Sequence, residues 1–105
     1  MKDNQIDSLR KIKKRPMTPG EWVDGMCEEL GISRRQLAAR IGKTPSVLND
    51  LVRGRKNLTP DMAHRLGAAF GVGGEVFLAM QQNVEMWDML HADLKAYNDI
   101  EAIAA

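Results

Sequence analysis

The stretch of sequence that decides the fold is SRRQLAARIGKTPSVLNDLVRG, which runs from Ser33 to Gly54. Its start and stop signals predict two short helices. Ser33 can cap the first helix, and Gln36, three residues later, completes a capping box. Gly42 supplies the left-handed residue that commonly ends a helix. The first helix is therefore predicted to lie between Ser33 and Gly42.

A second helix follows after a very short connection. Thr44 is its cap, Pro45 takes the first helical position, where its missing N–H costs nothing, and Gly54 ends it. Each helix carries an apolar stripe with the spacing of a single buried face: Leu37, Ala38 and Ile41 in the first, and Leu48, Leu51 and Val52 in the second. So short a connection makes the helices pack across one another, which predicts a helix-turn-helix.

The polar side of the second helix is left free to meet a partner. At 100° per residue, the side opposite the apolar stripe holds Ser46, Asp50 and Arg53, flanked by Asn49 and Val47. In the docking mode of a helix-turn-helix, this helix lies in the major groove of DNA. We expect Thr44, Ser46, Val47 and Asn49 to read base edges, Asn49 being suited to adenine and Val47 to a thymine methyl group.

Positive charge is concentrated around the same stretch, although the whole chain carries a net charge of only +1. Residues 31–60 contain seven basic residues against Asp50 alone, a balance of +6, whereas residues 61–105 balance to −5. Phosphate contacts are expected from Arg34, Lys43, Arg53, Arg55 and Lys56. Asp50 has two interpretations: it accepts a hydrogen bond from a cytosine, or it holds Arg53 in place. The second is favoured.

Two further helices flank the motif and complete its core. Thr18-Pro19-Gly20-Glu21 opens one that Gly31 ends, and Thr59-Pro60-Asp61 opens another that Gly71 ends. Their predicted buried residues are Trp22, Val23, Met26, Cys27 and Leu30 in the former, and Met62, Ala63, Leu66, Ala69 and Phe70 in the latter. Cys27, the only cysteine, is interpreted as a small buried hydrophobe.

A longer helix is predicted from about Glu75 to the region of Asp93. Its apolar residues cover more than one side of the cylinder, so the excess needs a second surface to pack against. A homodimer is the economical solution, with Phe77, Met80, Val84, Trp87 and Leu90 as the expected interface. The alternative is that the end of this helix packs on the first helix of the same chain.

The segments outside residues 16–93 carry weaker signals. Residues 1–15 are highly charged and end in RKIKKR. They are interpreted as a flexible arm, a partner-binding segment or a basic arm that touches DNA. Residues 94–105 form an alanine-rich acidic tail with weak helical spacing. We therefore expect one folded domain between a flexible arm and a tail.

Several classes of function find no support in the sequence. His64 and His91 lie far apart, and no serine or cysteine has a neighbouring base, so no catalytic constellation is recognisable. The possible ligands of a metal do not cluster, and no cofactor is expected. No apolar run approaches the roughly 20 residues that span a bilayer. We expect a cytoplasmic protein that is not an enzyme.

The motifs resemble those of a known family, the cro/repressor-type (XRE) helix-turn-helix domains, and within it the HigA antitoxins of toxin-antitoxin pairs. The similar segments are Arg15-Pro16 with Pro19-Gly20-Glu21, Ile32-Ser33 through Leu37-Ala38, Leu58 through Leu66, and GEVFLAMQQNVEMW from Gly74 to Trp87. Gly74 stands where this family usually has proline. The resemblance covers Arg15 to about Leu90.

The resemblance implies an all-α fold, a five-helix lambda-repressor-like DNA-binding domain with an extended C-terminal helix. It also implies an antitoxin that represses its own operon in the bacterial cytoplasm and nucleoid, as a homodimer on a palindromic operator. A second implied partner is a small RNA-cleaving toxin of the RelE/HigB type. A stand-alone or phage-type repressor without a toxin is the nearest alternative. A purely protein-binding module would have no reason to keep the local +6 balance.

Overall fold

The computed structural model describes residues 13–104, most of which lie in five α-helices. We label them α1 (Pro19–Leu30), α2 (Arg34–Ile41), α3 (Pro45–Val52), α4 (Pro60–Phe70) and α5 (Glu75–Leu90). A 3₁₀ turn follows at Lys95–Tyr97, and residues 13–104 contain no strand. The prediction of an all-α, five-helix fold is confirmed.

The first four helices begin at the predicted caps. The side-chain oxygens of Thr18, Ser33, Thr44 and Thr59 accept hydrogen bonds from backbone N–H groups three residues later, at 3.0, 3.0, 3.3 and 3.1 Å. Helices α1, α2 and α4 end at Gly31, Gly42 and Gly71, whose φ angles of 70°, 73° and 74° are left-handed. Only Gly42, Lys43 and Thr44 separate α2 from α3, as a helix-turn-helix requires.

Every helix contributes at least one fully buried side chain to the core. The largest are Val23 of α1, Leu37 of α2, Leu48 of α3, Leu66 of α4 and Phe77 of α5. Trp22 closes one side of this core, with its ring edge-on to the rings of Phe70 and Phe77 at centroid distances of 5.2 Å. The helix-turn-helix is thereby held by the flanking helices.

The single cysteine lies in this core. Cys27 is 3% exposed, which confirms its interpretation as a buried residue. Burial raises the pKa of its thiol, and the nearby Asp24 carboxylate adds to that increase while Arg34 opposes it. The thiol therefore stays protonated and behaves as a small apolar group.

Two glycines allow backbone segments to touch. A Cβ atom at Gly20 would lie 2.3 Å from the carbonyl oxygen of Leu51, so α1 and α3 are in direct backbone contact there. A Cβ atom at Gly74 would lie 2.9 Å from the carbonyl carbon of Ala63, which brings the start of α5 against α4. The glycine at position 74 is therefore suited to the close approach of these two helices.

The structure corrects two predicted core positions. Leu30 is 56% exposed because it is the last residue of α1, about one turn beyond Cys27, the last buried residue of that helix. Ala69 is exposed as well. The buried face of α4 contains Gly67 instead, because its backbone packs so closely on Val72 that a Cβ atom there would lie 2.5 Å from the Val72 carbonyl oxygen.

The ends of the chain also differ from the prediction. Helix α5 ends at Leu90, three residues before the expected region of Asp93, and beyond it the tail forms only the 3₁₀ turn. Residues 1–12, on which the interpretations of the arm depend, lie outside the described residues. At the end of the arm, Arg15 donates two hydrogen bonds to Asp88 of α5, at 2.8 and 2.9 Å. This hydrogen-bonded pair lowers the pKa of the Asp88 carboxyl group and raises that of Arg15.

The close contact between α1 and α3 leads to a prediction for Gly20. We expect Gly20→Ala to lower the free energy of unfolding by about 1–3 kcal/mol, because the added methyl group overlaps the backbone of Leu51. Gly25→Ala is the matched control on the same helix, since nothing lies within 4 Å of its added Cβ atom. The control should be stabilised by about 0.5–1 kcal/mol through helix propensity. Denaturant unfolding of both variants measures the difference, and equal stability would contradict the backbone contact.

Candidate nucleic-acid interface

Helix α3 presents the surface that the sequence predicts as a DNA reader. Leu48 and Leu51 point into the core and are 0% and 7% exposed. Pro45, Ser46 and Arg53 are exposed on the outer side. The apolar and polar sides of this eight-residue helix are thus separated as predicted, and its outer side is open to solvent.

The four residues predicted to read bases differ in accessibility. Thr44 and Ser46 are exposed, whereas Asn49 and Val47 are half-buried. The Thr44 hydroxyl oxygen accepts the N–H of Val47 as a helix cap, so its hydrogen atom is the group left to donate. Val47 packs against the edge of the core, which leaves only part of its side chain for a thymine methyl group.

Arg34, predicted to contact phosphate, makes its hydrogen bonds within the protein. Its Nε and one terminal nitrogen lie 3.1 and 3.0 Å from Oδ1 of Asp24 in α1. The other terminal nitrogen donates to Oδ1 of Asn49 in α3 at 2.9 Å. These contacts connect α1, α2 and α3. The sequence predicts Arg34 and Asn49 as site residues but does not predict the hydrogen bond between them.

The turn of the motif is fastened to α4 by a second polar cluster. Lys43 Nζ lies 3.5 Å from Oδ2 of Asp61, which also accepts from Arg65 Nε at 3.0 Å. Arg65 donates as well to the backbone oxygen of Ile41, at 2.7 Å, and so closes the end of α2. The hydrogen bond from Arg65 lowers the pKa of Asp61, and the positive charges of Arg65 and Lys43 add to the effect.

Sequence reasoning missed the structural role of Arg65. Its i, i+4 spacing from Asp61 could have indicated the ion pair between them. The bond to Ile41, however, joins residues that are 24 positions apart in the chain. It could not be deduced from spacing along one helix.

The basic loop after α3 is the most accessible part of the site. Arg53, Arg55 and Lys56 are all exposed. Asp50 lies 3.9 Å from Nζ of Lys56, so the structure corrects the predicted pairing of Asp50 with Arg53. This contact is long and exposed at its Lys56 end, so it contributes little free energy.

A glutamine of α5 holds the end of the same loop. Gln81 accepts the N–H of Leu58 through Oε1 and donates to the Leu58 carbonyl through Nε2, at 3.3 Å. Leu58 itself is 4% exposed and anchors the loop in the core. The loop that carries Lys56 is therefore attached both to the core and to α5.

The five residues predicted for a dimer interface fall into two groups. Phe77 and Val84 are 0% and 5% exposed and belong to the interior of the protomer, which corrects their assignment to an interface. Met80, Trp87 and Leu90 are half-buried and remain accessible on α5. The Trp87 ring stacks on that of His91, with a centroid distance of 3.9 Å. The accessible apolar residues thus extend along the helix, from Met80 to Leu90.

Other kinds of site are not seen in the described part of the chain. Residues 13–104 contain no group of three or more His, Cys, Asp or Glu side chains placed to hold a metal ion. None of the described helices is long and apolar enough to cross a bilayer.

Known proteins resemble this chain over its helix-turn-helix and over about three quarters of its length. A family described as Helix-turn-helix matches residues 26–77. Antitoxin HigA-1 of Vibrio cholerae serotype O1 is 35% identical over 81 residues, which cover 76% of each chain. The uncharacterized HTH-type transcriptional regulator YddM of Escherichia coli K12 is 29% identical over 75 residues, 71% of this chain and 77% of that one.

A solved structure shows the same fold on DNA. Pseudomonas aeruginosa antitoxin HigA with the higBA promoter superimposes with a TM-score of 0.75 at 29% identity, covering 86% of this chain and 100% of that one. The capped helix-turn-helix, the shared fold and the identity to HigA-1 over three quarters of both chains lead to one conclusion. The chain belongs to the HigA family of helix-turn-helix antitoxins.

Proposed function

We propose that this protein binds a palindromic operator as a homodimer, represses the operon that encodes it and neutralises an RNA-cleaving toxin from the same operon. The observation that carries the DNA-binding part is the exposed polar side of α3, flanked by the exposed basic residues of the following loop. Membership of the HigA family and the promoter-bound HigA relative support the same assignment. The proposal includes no enzymatic activity and no cofactor.

In the proposed complex, α3 lies in the major groove with its N-terminal end towards the bases. Thr44, Ser46 and Asn49 donate or accept at base edges, and the exposed part of Val47 meets a thymine methyl group. The N-terminal N–H groups of α2 and α3 favour nearby phosphates. These contacts together define the sequence that the protein reads.

Phosphates are bound mainly by the residues that follow α3. Arg53, Arg55 and Lys56 are exposed and lie on the loop that Gln81 holds, so they reach the DNA backbone from a fixed position. Lys43 joins them by exchanging Asp61 for a phosphate, because exposed ion pairs contribute little free energy. Arg34 keeps its hydrogen bonds to Asp24 and Asn49 within the protein.

Dimer formation supplies the affinity that one protomer lacks. A single recognition helix reads few base pairs, and two copies on half-sites about one turn apart, roughly 34–36 Å, read a palindrome. Met80, Trp87 and Leu90 provide the proposed apolar contact on α5. Helix α5 then acts both as a core helix, through Phe77 and Val84, and as the interface.

The toxin-binding part of the proposal rests on family membership. A relative covering three quarters of this chain is named an antitoxin, and repression together with neutralisation is the function that fits that name. The second candidate is a stand-alone repressor, which the similarity to the transcriptional regulator YddM favours. Both candidate functions use the same DNA-binding surface, so the presence or absence of a toxin partner distinguishes them.

We expect Asn49→Ala and Lys56→Ala to impair DNA binding in different ways. Loss of a base contact changes the preferred base at one or two positions, whereas loss of a phosphate contact weakens all sequences and flattens the salt slope by about one unit. Fluorescence anisotropy with the operator and with random duplexes, between low and moderate salt, measures both effects. Lys95→Ala, in the exposed tail, is the control. Equal losses on specific and random DNA for both variants would contradict these roles.

The wild-type protein should have about twice the protomer mass of 11.7 kDa by light scattering at micromolar concentration. Leu90→Glu should yield monomers, because burying a charge in an apolar interface is costly. Ile100→Glu is the control, since Ile100 is 71% exposed in the tail and outside the proposed interface. A monomeric wild-type protein would contradict the proposed dimer, as would a dimer unaffected by Leu90→Glu.

The reading frame beside this one should encode a small basic protein that arrests growth when expressed alone. Co-expression with the present chain should restore growth, because the antitoxin masks the toxin, and an empty vector is the control. A harmless neighbour, combined with operator binding by this protein, would favour the stand-alone repressor instead.

A further inference from the structure

The chain of contacts Asp24–Arg34–Asn49 assigns a function to Arg34 other than phosphate binding. We propose that Arg34 is a positioning residue that fixes the orientation of the Asn49 amide, so that the protein rejects cytosine at the base pair that Asn49 reads. The inference rests on the proposed DNA binding and specifies how one base is selected.

Arg34 is poorly placed to bind a phosphate. Its guanidinium group donates from Nε to Asp24 and from one terminal nitrogen to Asn49, and its other terminal nitrogen forms an ion pair with Asp24. The Asp24 carboxylate also compensates its positive charge at a distance of 3.0 Å. At 34% the side chain is about as exposed as that of Lys43, at 33%, but Lys43 is held by an ion pair of 3.5 Å, whereas two hydrogen bonds fix Arg34.

The same contacts select one orientation of the Asn49 amide. Oδ1 accepts from the guanidinium group at 2.9 Å, and a hydrogen bond from a charged donor is about twice as strong as a neutral one. Turning the amide by 180° would direct its NH₂ group at the N–H groups of Arg34, two donors facing each other. The anchored guanidinium group therefore keeps the oxygen on the inside and the NH₂ group free.

The free NH₂ group is available to a base. Asn49 lies on the half-exposed side of α3, and its Nδ2 donates to no acceptor within residues 13–104. Nδ2 is not buried, because every buried side-chain nitrogen and oxygen of the described residues has a hydrogen-bond partner. It therefore reaches solvent at the surface that faces the major groove in the proposed complex.

A fixed donor distinguishes the four bases by their major-groove edges. Guanine offers O6 and N7, adenine offers N7 and thymine offers O4 as acceptors, whereas cytosine offers only its N4 amino donor. At this position, the N4 amino group of cytosine would thus face the NH₂ group of Asn49, and two donors cannot form a hydrogen bond. An amide released from Arg34 could turn and accept from the cytosine amino group, so the discrimination depends on Arg34.

The test uses sequences selected by the wild-type protein from random duplexes. The position read by Asn49 is the one whose base preference disappears in Asn49→Ala, and all four bases are then compared there. For the wild-type protein, cytosine should bind roughly ten-fold or more weaker than the best base. Arg34→Lys keeps the positive charge but cannot hold Asp24 and Asn49 together, so the cytosine penalty should shrink to about two- or three-fold.

Two further variants separate positioning from charge. Asp24→Asn removes the carboxylate that holds the guanidinium group but keeps Arg34. Like Arg34→Lys, it should reduce the cytosine penalty. Arg35→Lys, at the exposed neighbouring position, should keep the wild-type preference. Thermal unfolding followed by circular dichroism verifies that all variants are folded.

The outcomes distinguish this inference from the proposed function. If Arg34→Lys and Asp24→Asn leave the cytosine penalty unchanged, or if Arg34→Lys weakens all four duplexes by the same factor, Arg34 is not a positioning residue. If Asn49→Ala changes no base preference, the inference also fails. If the wild-type protein selects no sequence at all, the proposed DNA binding fails together with it.

Discussion

The packing of Leu48 and Leu51 into the hydrophobic core is the interaction on which the rest of the site depends. An eight-residue helix is not stable in water by itself, so α3 needs the core to keep its shape. The two leucines attach one side of the helix to that core, and Gly20 allows the backbone of α1 to lie directly on the end of α3. Because this support acts from the inside, the most exposed positions of α3, Pro45 and Ser46, are left open to solvent, whereas Asn49 also bonds Arg34 of α2.

Local signals in the sequence were sufficient for the helices but not for the polar contacts of the site. A cap and the N–H group that it accepts are three residues apart, so Thr18, Ser33 and Thr59 could be recognised without a structure. The exposure of Leu30 was not predictable, because helical spacing indicates which face is buried but not how far along the helix that face is covered. The bond between Arg34 and Asn49 was missed for a related reason: helical periodicity says which face a residue occupies, but not which long side chain of another helix reaches it.

The number of basic residues around the motif overstates the number available to bind phosphates. Arg34, Lys43 and Lys56 each have a carboxylate partner, at 3.0, 3.5 and 3.9 Å. The two lysine pairs are long and exposed at one end, so they can be exchanged. Arg34 differs from both lysines because two hydrogen bonds, to Asp24 and Asn49, hold its side chain in addition to the ion pair. In the proposed complex, the residues that contribute positive charge around the motif and the residues that bind phosphates are therefore not the same set.

The two hydrogen bonds between Gln81 and Leu58 have a mechanical consequence. Because both bonds join the same two residues, the loop before α4 cannot slide along α5 without breaking both of them. In the proposed dimer built on α5, the basic loop and α5 therefore move as one rigid body. In that dimer, the angle at which the two copies of α5 cross determines the distance between the two basic loops. The spacing of the operator half-sites would then depend on the dimer interface rather than on the residues that contact DNA.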